Sequence, residues 1–170
     1  MARIEYPSPE SLEQEAARAL AGMKAMNVFR MLARADSLAP PLFEALTRLF
    51  TRGRIELPPR LRQVAILRVA GVGSFAYLIS HHQPISRRVG LNEDEIIACQ
   101  QGDDARLGVQ ERAVARFATE STLYTEVSDE AFDALRGFLS DRQIVELAIV
   151  VGLYNFIGRF IKALKVEDDG

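Results

Sequence analysis

Two adjacent histidines, His81 and His82, are the only imidazoles in this 170-residue chain. An imidazole gains or loses a proton near neutral pH, so the pair is the natural seed of an acid–base site. The stretch Ser74-Phe75-Ala76-Tyr77-Leu78-Ile79-Ser80-His81-His82 holds no thiol, and no carboxylate falls between Ile66 and Leu91. Chemistry here is therefore proton transfer and not cysteine redox chemistry. On a helix, His82 shares a face with Phe75, Leu78, Ile85 and Val89. That face admits two readings: an imidazole in an apolar pocket, tuned by desolvation and one partner, or a core histidine bonded to a carbonyl. His81 falls beside Tyr77, Pro84 and Arg88, a more polar face that suits a solvated or interface histidine. Pro84 leaves the carbonyl of Ser80 without its helical donor. No metal site is expected, because adjacent helical histidines point about 100° apart and no third ligand is near in sequence. Gly71-Val72-Gly73 has no strand before it, so it is not a phosphate loop.

The elements that position these residues all read as helix. Ser8-Pro9-Glu10-Ser11 places a hydroxyl before a proline ahead of a helix over 12–26, and a second piece follows around 28–34. Pro40-Pro41 opens a helix to residue 51, and Leu57-Pro58-Pro59 opens an apolar helix to residue 70. Gly71 and Gly73 break that helix before the histidine helix over 75–89. Asn92-Glu93-Asp94-Glu95 reads as a capping box for a helix ending near 101. Further helices are expected over 109–120, over 130–138 behind Ser128, and from Ser140-Asp141-Arg142-Gln143 to residue 164. Residues 165–170 read as a loose tail. No period-two alternation or hairpin dipeptide appears, so the fold class is all-α. Leu57-Pro58-Pro59-Arg60 and Leu139-Ser140-Asp141-Arg142 share a Leu-x-x-Arg start, which hints at a duplicated two-helix unit.

The composition is that of a globular protein, 48% hydrophobic and 26% charged. The length suits one domain that buries roughly two-thirds of its unfolded surface. A net charge of −2 gives no field for nucleic acid or anionic membrane. Cys99 is alone, which excludes an intrachain disulfide and points to the cytoplasm. The N-terminus lacks the apolar core of a signal peptide. The apolar stretch 144–164 contains Glu146, Asn155, Arg159 and Lys162, and reads as a buried helix, not a membrane span. Asn155 and Glu146 each need a partner there. The arginine-rich segments Arg52-Gly53-Arg54 and 60–62 read as solvated.

Several segments, in this order, resemble the carboxymuconolactone decarboxylase superfamily, which includes the alkyl hydroperoxidase D-like proteins. They are Leu57-Pro58-Pro59-Arg60-Leu61-Arg62-Gln63-Val64-Ala65-Ile66-Leu67-Arg68-Val69-Ala70, His81-His82 and Arg88-Val89-Gly90-Leu91-Asn92-Glu93-Asp94-Glu95-Ile96. Ser140-Asp141-Arg142-Gln143-Ile144-Val145-Glu146-Leu147 and Gly152-Leu153-Tyr154-Asn155-Phe156-Ile157-Gly158-Arg159-Phe160 resemble the closing helix. The resemblance implies a helical bundle over 39–166, preceded by a helical extension over 1–38 and followed by a tail over 167–170. It also implies a homotrimer or homohexamer.

In the redox branch of that superfamily the histidine helix carries a Cys-x-x-Cys pair, and a glutamate on the preceding helix relays protons. Taking His82 as the family histidine, the thiol positions hold Phe75 and Leu78, and the relay position holds Gln63. A disulfide-forming peroxidase needs a thiolate and a resolving thiol, and neither is present. The decarboxylase branch does without that pair, and without metal or organic cofactor. It needs a group to protonate an enolate carbon and cations or donors to hold carboxylates. The resemblance therefore implies cofactor-free acid–base chemistry, a lyase or decarboxylase acting on a small carboxylated or carbonyl compound. His82 is the expected catalytic residue, with His81, Gln63, Tyr77 and Arg68 expected to bind substrate. Arg60 and Arg159 are further candidates for a carboxylate, and Tyr154 for lining the pocket. Gln63 can orient a substrate through its amide but carries no proton, and it reads equally well as a surface residue. The alternatives are an oligomeric binding or structural protein whose catalytic set has decayed, and the peroxidase activity that the family name suggests.

Overall fold

The computed structural model describes residues 1–169, and among them every regular element is a helix. The helices are α1 (Gln14–Ala21), α2 (Asn27–Leu32), α3 (Ala39–Phe50), α4 (Pro59–Val72) and α5 (Ala76–Arg88). They continue with α6 (Glu93–Gln101), α7 (Val109–Leu123), α8 (Asp129–Arg136) and α9 (Asp141–Leu164). The expected all-α class is what the chain adopts. It forms two compact units, Met1–Ile55 with the chain from Phe160 onward, and Glu56–Arg159. The expected boundary at Ala39 falls inside the first unit.

In the first unit α1 packs on α3, and Phe29 meets Phe43 edge-on at 5.7 Å. The helix expected over 12–26 is shorter. Pro9 opens only a 3-10 turn, Ser8 makes no side-chain cap, and Gly22 ends α1. The expected loose tail is tied down within this unit. Glu167 N donates to the Tyr6 hydroxyl at 3.1 Å, and the Asp169 carboxylate accepts from Asn27 N. Gly170 lies outside the described residues.

The second unit is built around α4, which packs against α5, α6 and α7. Ten consecutive residues, Leu61 to Ala70, are buried. A helix enclosed on every side needs no amphipathic stripe, which is why this segment reads as apolar without a face. Pro59 pre-sets the first turn. Just ahead of it, the Glu146 carboxylate on α9 accepts from the backbone N–H groups of Glu56 and Leu57 at 2.7 Å each. That supplies the partner Glu146 needs inside an apolar helix. At the far end, a Cβ on Gly71 would lie 2.2 Å from the carbonyl oxygen of Gln100, so α4 and α6 cross where only glycine fits.

The caps predicted for α6, α8 and α9 are present. Asn92 and Glu95 form a reciprocal capping box on α6, Ser128 accepts from Ala131 N, and Ser140 and Gln143 pair reciprocally on α9. Gly102 closes α6 at φ 79°. A break at 73–75 follows α4, whereas α9 runs unbroken for 24 residues. α9 is long and apolar enough to cross a membrane by length and composition, but half of its most apolar window is buried in the protein. That burial fits the core helix expected from its charges.

Candidate active site at His82

His82 is buried on α5 with Leu78, and Phe75 just ahead of the helix is buried too, as the helical spacing predicts, whereas Ile85 and Val89 of the same expected face are only half-buried. Its ring is 7% exposed, and Nδ1 lies 3.0 Å from Oε1 of Gln63 on α4. An amide oxygen can only accept, so Nδ1 carries the proton and Nε2 is the basic nitrogen of the neutral ring. Ser86, one turn beyond His82, has a single hydroxyl proton, shared between the His82 carbonyl at 2.8 Å and the same Gln63 oxygen at 3.3 Å. Gln63 is completely buried, so it is not a surface glutamine. Its oxygen takes two donors, while its Nε2 has no hydrogen-bond partner.

Tyr154 of α9 meets the imidazole edge-on, with ring centroids 4.9 Å apart. Burial pushes its phenol well above the ordinary value, and the charge of Arg62 partly opposes that rise. Burial in turn pulls Arg62 below the ordinary arginine value, with the attraction of Tyr154 acting the other way. Arg62 is 7% exposed, which corrects the expectation of a solvated arginine segment. Arg52 and Arg54 are exposed, as that expectation has them. The sequence offers no signal for Arg62, because its charge hides its place on an enclosed helix. Ser86 was legible, four residues past His82 on the same helix face.

The remaining expected residues stand elsewhere. His81 stacks on Tyr77 at 4.3 Å, and its Nδ1 lies 2.8 Å from the Tyr77 carbonyl oxygen. Arg68 is paired with Asp104 and donates to the Ala98 carbonyl at 3.4 Å, on the side of α4 that meets α6. Arg60 is held by Glu95, Glu111 and the Gly90 carbonyl, and Arg159 is exposed. Asn155 donates to Thr122 at 2.9 Å and to the Val151 carbonyl at 3.0 Å.

The first thiol position of the resemblance is filled by an aromatic ring. A Cβ on either Gly73 or Gly158 would lie 2.2 Å from the Phe75 ring, so two glycines make the slot that holds it. A groove of about 530 Å³ opens at the ends of α4 and α6 beside α7, and His82 is not among the residues that line it.

Comparison with solved structures fixes the fold. An uncharacterized peroxidase-related protein from Silicibacter sp. superposes with a TM-score of 0.82 at 19% identity, over 99% of this chain and 92% of that one. The alkylhydroperoxidase AhpD core of an uncharacterized peroxidase-related protein from Ralstonia eutropha gives 0.82 at 18% identity, over the same shares of 99% and 92%. The chain has the alkylhydroperoxidase D-like fold. The debrominase Bmp8 shares this fold with a TM-score of 0.70 at 18% identity, over 99% of this chain and 91% of that one. A Cys-to-Ala variant of that debrominase is seen with 2,3,4-tribromopyrrole. No family model and no curated protein matches the sequence. Within the alkylhydroperoxidase D-like fold, the His82–Gln63 hydrogen bond joins the two positions that the sequence resemblance assigns to the family histidine and its relay residue.

Proposed function

We propose that this chain is a protein of the carboxymuconolactone decarboxylase type that lacks the redox thiol pair and carries out cofactor-free acid–base chemistry at His82. The observation that carries this reading is the buried Gln63 amide, whose oxygen holds His82 and Ser86 while its N–H groups have no acceptor. A small carboxylated or carbonyl compound supplies the missing acceptor. In a decarboxylation the C–COO⁻ bond breaks, CO2 leaves, and the electron pair stays on the adjacent carbon as an enolate. The protonated His82 ring gives its Nε2 proton to that carbon, and solvent restores it. Gln63 accepts from Nδ1 in both charge states, and the Arg62 cation offsets the developing negative charge.

The test is a thermal-shift screen over lactones, keto acids and phenolic acids, followed by turnover of any compound that stabilises the fold. His82→Gln is expected to lower turnover about 10²–10⁴-fold. Undiminished turnover in that variant would refute the assignment.

A second reading is an oligomeric binding or structural protein without catalysis. It is favoured by the near-complete burial of His82 and by its absence from the groove lining. A compound that stabilises the fold but is never turned over supports a binding protein, and a screen without any stabilising compound supports a structural one. Thiol peroxidase activity is disfavoured because Phe75 and Leu78 occupy the thiol positions. Hydroperoxide consumption that persists in Cys99→Ser would revive peroxide chemistry by other groups.

Homotrimeric or homohexameric assembly belongs to the same proposal. It is supported by Val145, Ile149 and Phe156, 58%, 49% and 44% exposed at helical spacing on α9. A monomer whose mass by light scattering is independent of concentration would overturn it. Cytoplasmic residence is likewise proposed, from the single cysteine.

A further inference from the structure

The groove at the ends of α4 and α6 has its own chemistry, independent of His82. Arg68 and Gln100 both line it, and each holds a buried N–H donor without an acceptor, Nε of Arg68 and Nε2 of Gln100. Buried donors in folded proteins nearly always have a partner, and two orphans on one groove point to a missing acceptor. The volume of about 530 Å³ is that of a small-molecule site. Its charges balance: Arg68 and Arg116 face Asp104 and Glu120.

Asp104 shows what kind of group Arg68 takes. The Arg68 side chain is 4% exposed, whereas the Asp104 carboxylate that pairs with it is 40% exposed and sits in a short 3-10 turn. The cation is fixed in the wall and its partner stands at the mouth, so the carboxylate is the exchangeable member. A ligand carboxylate that takes its place has two oxygens and can satisfy Arg68 and Gln100 together, in the forked geometry a guanidinium favours. The neighbouring Glu120 and displaced Asp104 disfavour a dianion. Tyr124, 68% exposed and also lining the groove, presents a flat apolar ring to the body of the ligand.

We propose that this groove binds a small monocarboxylate with a flat apolar body, which replaces Asp104 on Arg68 and is also held by Gln100. The assignment goes beyond the His82 chemistry and stands whether or not that chemistry is found.

The experiment titrates benzoate into the full chain, followed by amide NMR, with benzamide and phenyl phosphate as comparators. Benzoate is expected to bind with a Kd of about 1 mM, at least about fivefold more tightly than either comparator. The shifts should centre on Gly71, Gly102 and the Gln100 side-chain amide. Asp104→Ala should tighten benzoate binding about fivefold by removing the internal competitor, and Gln100→Leu should weaken it about fivefold. Gln100→Leu removes an unpaired buried donor, so the variant should fold. His82→Gln should leave binding unchanged. Absence of saturable benzoate shifts up to about 20 mM would overturn the proposal. So would an Asp104→Ala variant that binds no more tightly, or shifts that centre on His82.

Discussion

Gln63 and His82 face each other across 3.0 Å, 19 residues apart in sequence, with the amide oxygen fixing which imidazole nitrogen carries the proton. A carboxylate at position 63 would impose the same tautomer but add a charge that stabilises the imidazolium. Gln63→Glu should therefore move the NMR titration midpoint of His82 upward relative to the parent protein. Gln63→Leu removes the acceptor and should shift the ring population away from the Nδ1–H tautomer, read from the nitrogen chemical shifts. A midpoint unmoved in Gln63→Glu would mean that the contact does not govern the ring.

The slot around Phe75 should be sensitive to a single methyl group. Gly158→Ala places a Cβ 2.2 Å from a ring that is 6% exposed and has nowhere to turn. The expected loss is about 1–3 kcal/mol in urea unfolding. Phe75→Leu shortens the ring away, so the double variant should lose less than the sum of the single changes. Strict additivity would show that the glycine and the ring do not compete for the same space.

Cys99 should behave as an inert core residue. It is fully buried, and burial pushes its thiol up to about 12, against a smaller opposing pull from Arg68. Thiol reagents should react only as the protein opens. Because the folded value lies above the unfolded 9.0, the stabilising effect is complete below pH 9.0 and is lost as pH rises toward about 12. The slope from this one proton is at most about 1.4 kcal/mol per pH unit, and it should be absent in Cys99→Ala. An equal slope in both proteins would place the effect elsewhere.

The fold was legible because its signals are local. The Asn92–Glu95 and Ser140–Gln143 boxes depend on residues three apart, and the Phe75, Leu78, His82 face depends on one helical period. The site was legible only where the resemblance paired Gln63 with His82. Arg62, expected in solvent, is buried, and Arg68 lies on the α6 side of α4, because both belong to a helix buried over ten consecutive residues. On such a helix, composition does not tell which side faces which neighbour. That is decided by the packing partners, Tyr154 for Arg62 and Asp104 for Arg68.

Arg60 joins α4 to α6 and α7 through Glu95 and Glu111, and this three-way link predicts an acid-sensitive fold. Burial pushes the Glu111 carboxyl upward, but the hydrogen bond from Arg60, a backbone hydrogen bond and the Arg60 charge together outweigh that and hold it below 4.5. A depressed folded value means that the stabilisation is fully present above the unfolded value of 4.5 and is lost as pH falls through the folded one. Glu111→Gln should cost about 1–3 kcal/mol at neutral pH. Its difference from the parent should be constant above pH 4.5 and should narrow below it, as the parent loses the charge that the variant never had. Urea midpoints measured between about pH 3 and pH 7 follow this directly, over the range where carboxylates titrate. A gap that stays constant through the acid range would show that Arg60 holds the three helices without help from the ionised Glu111.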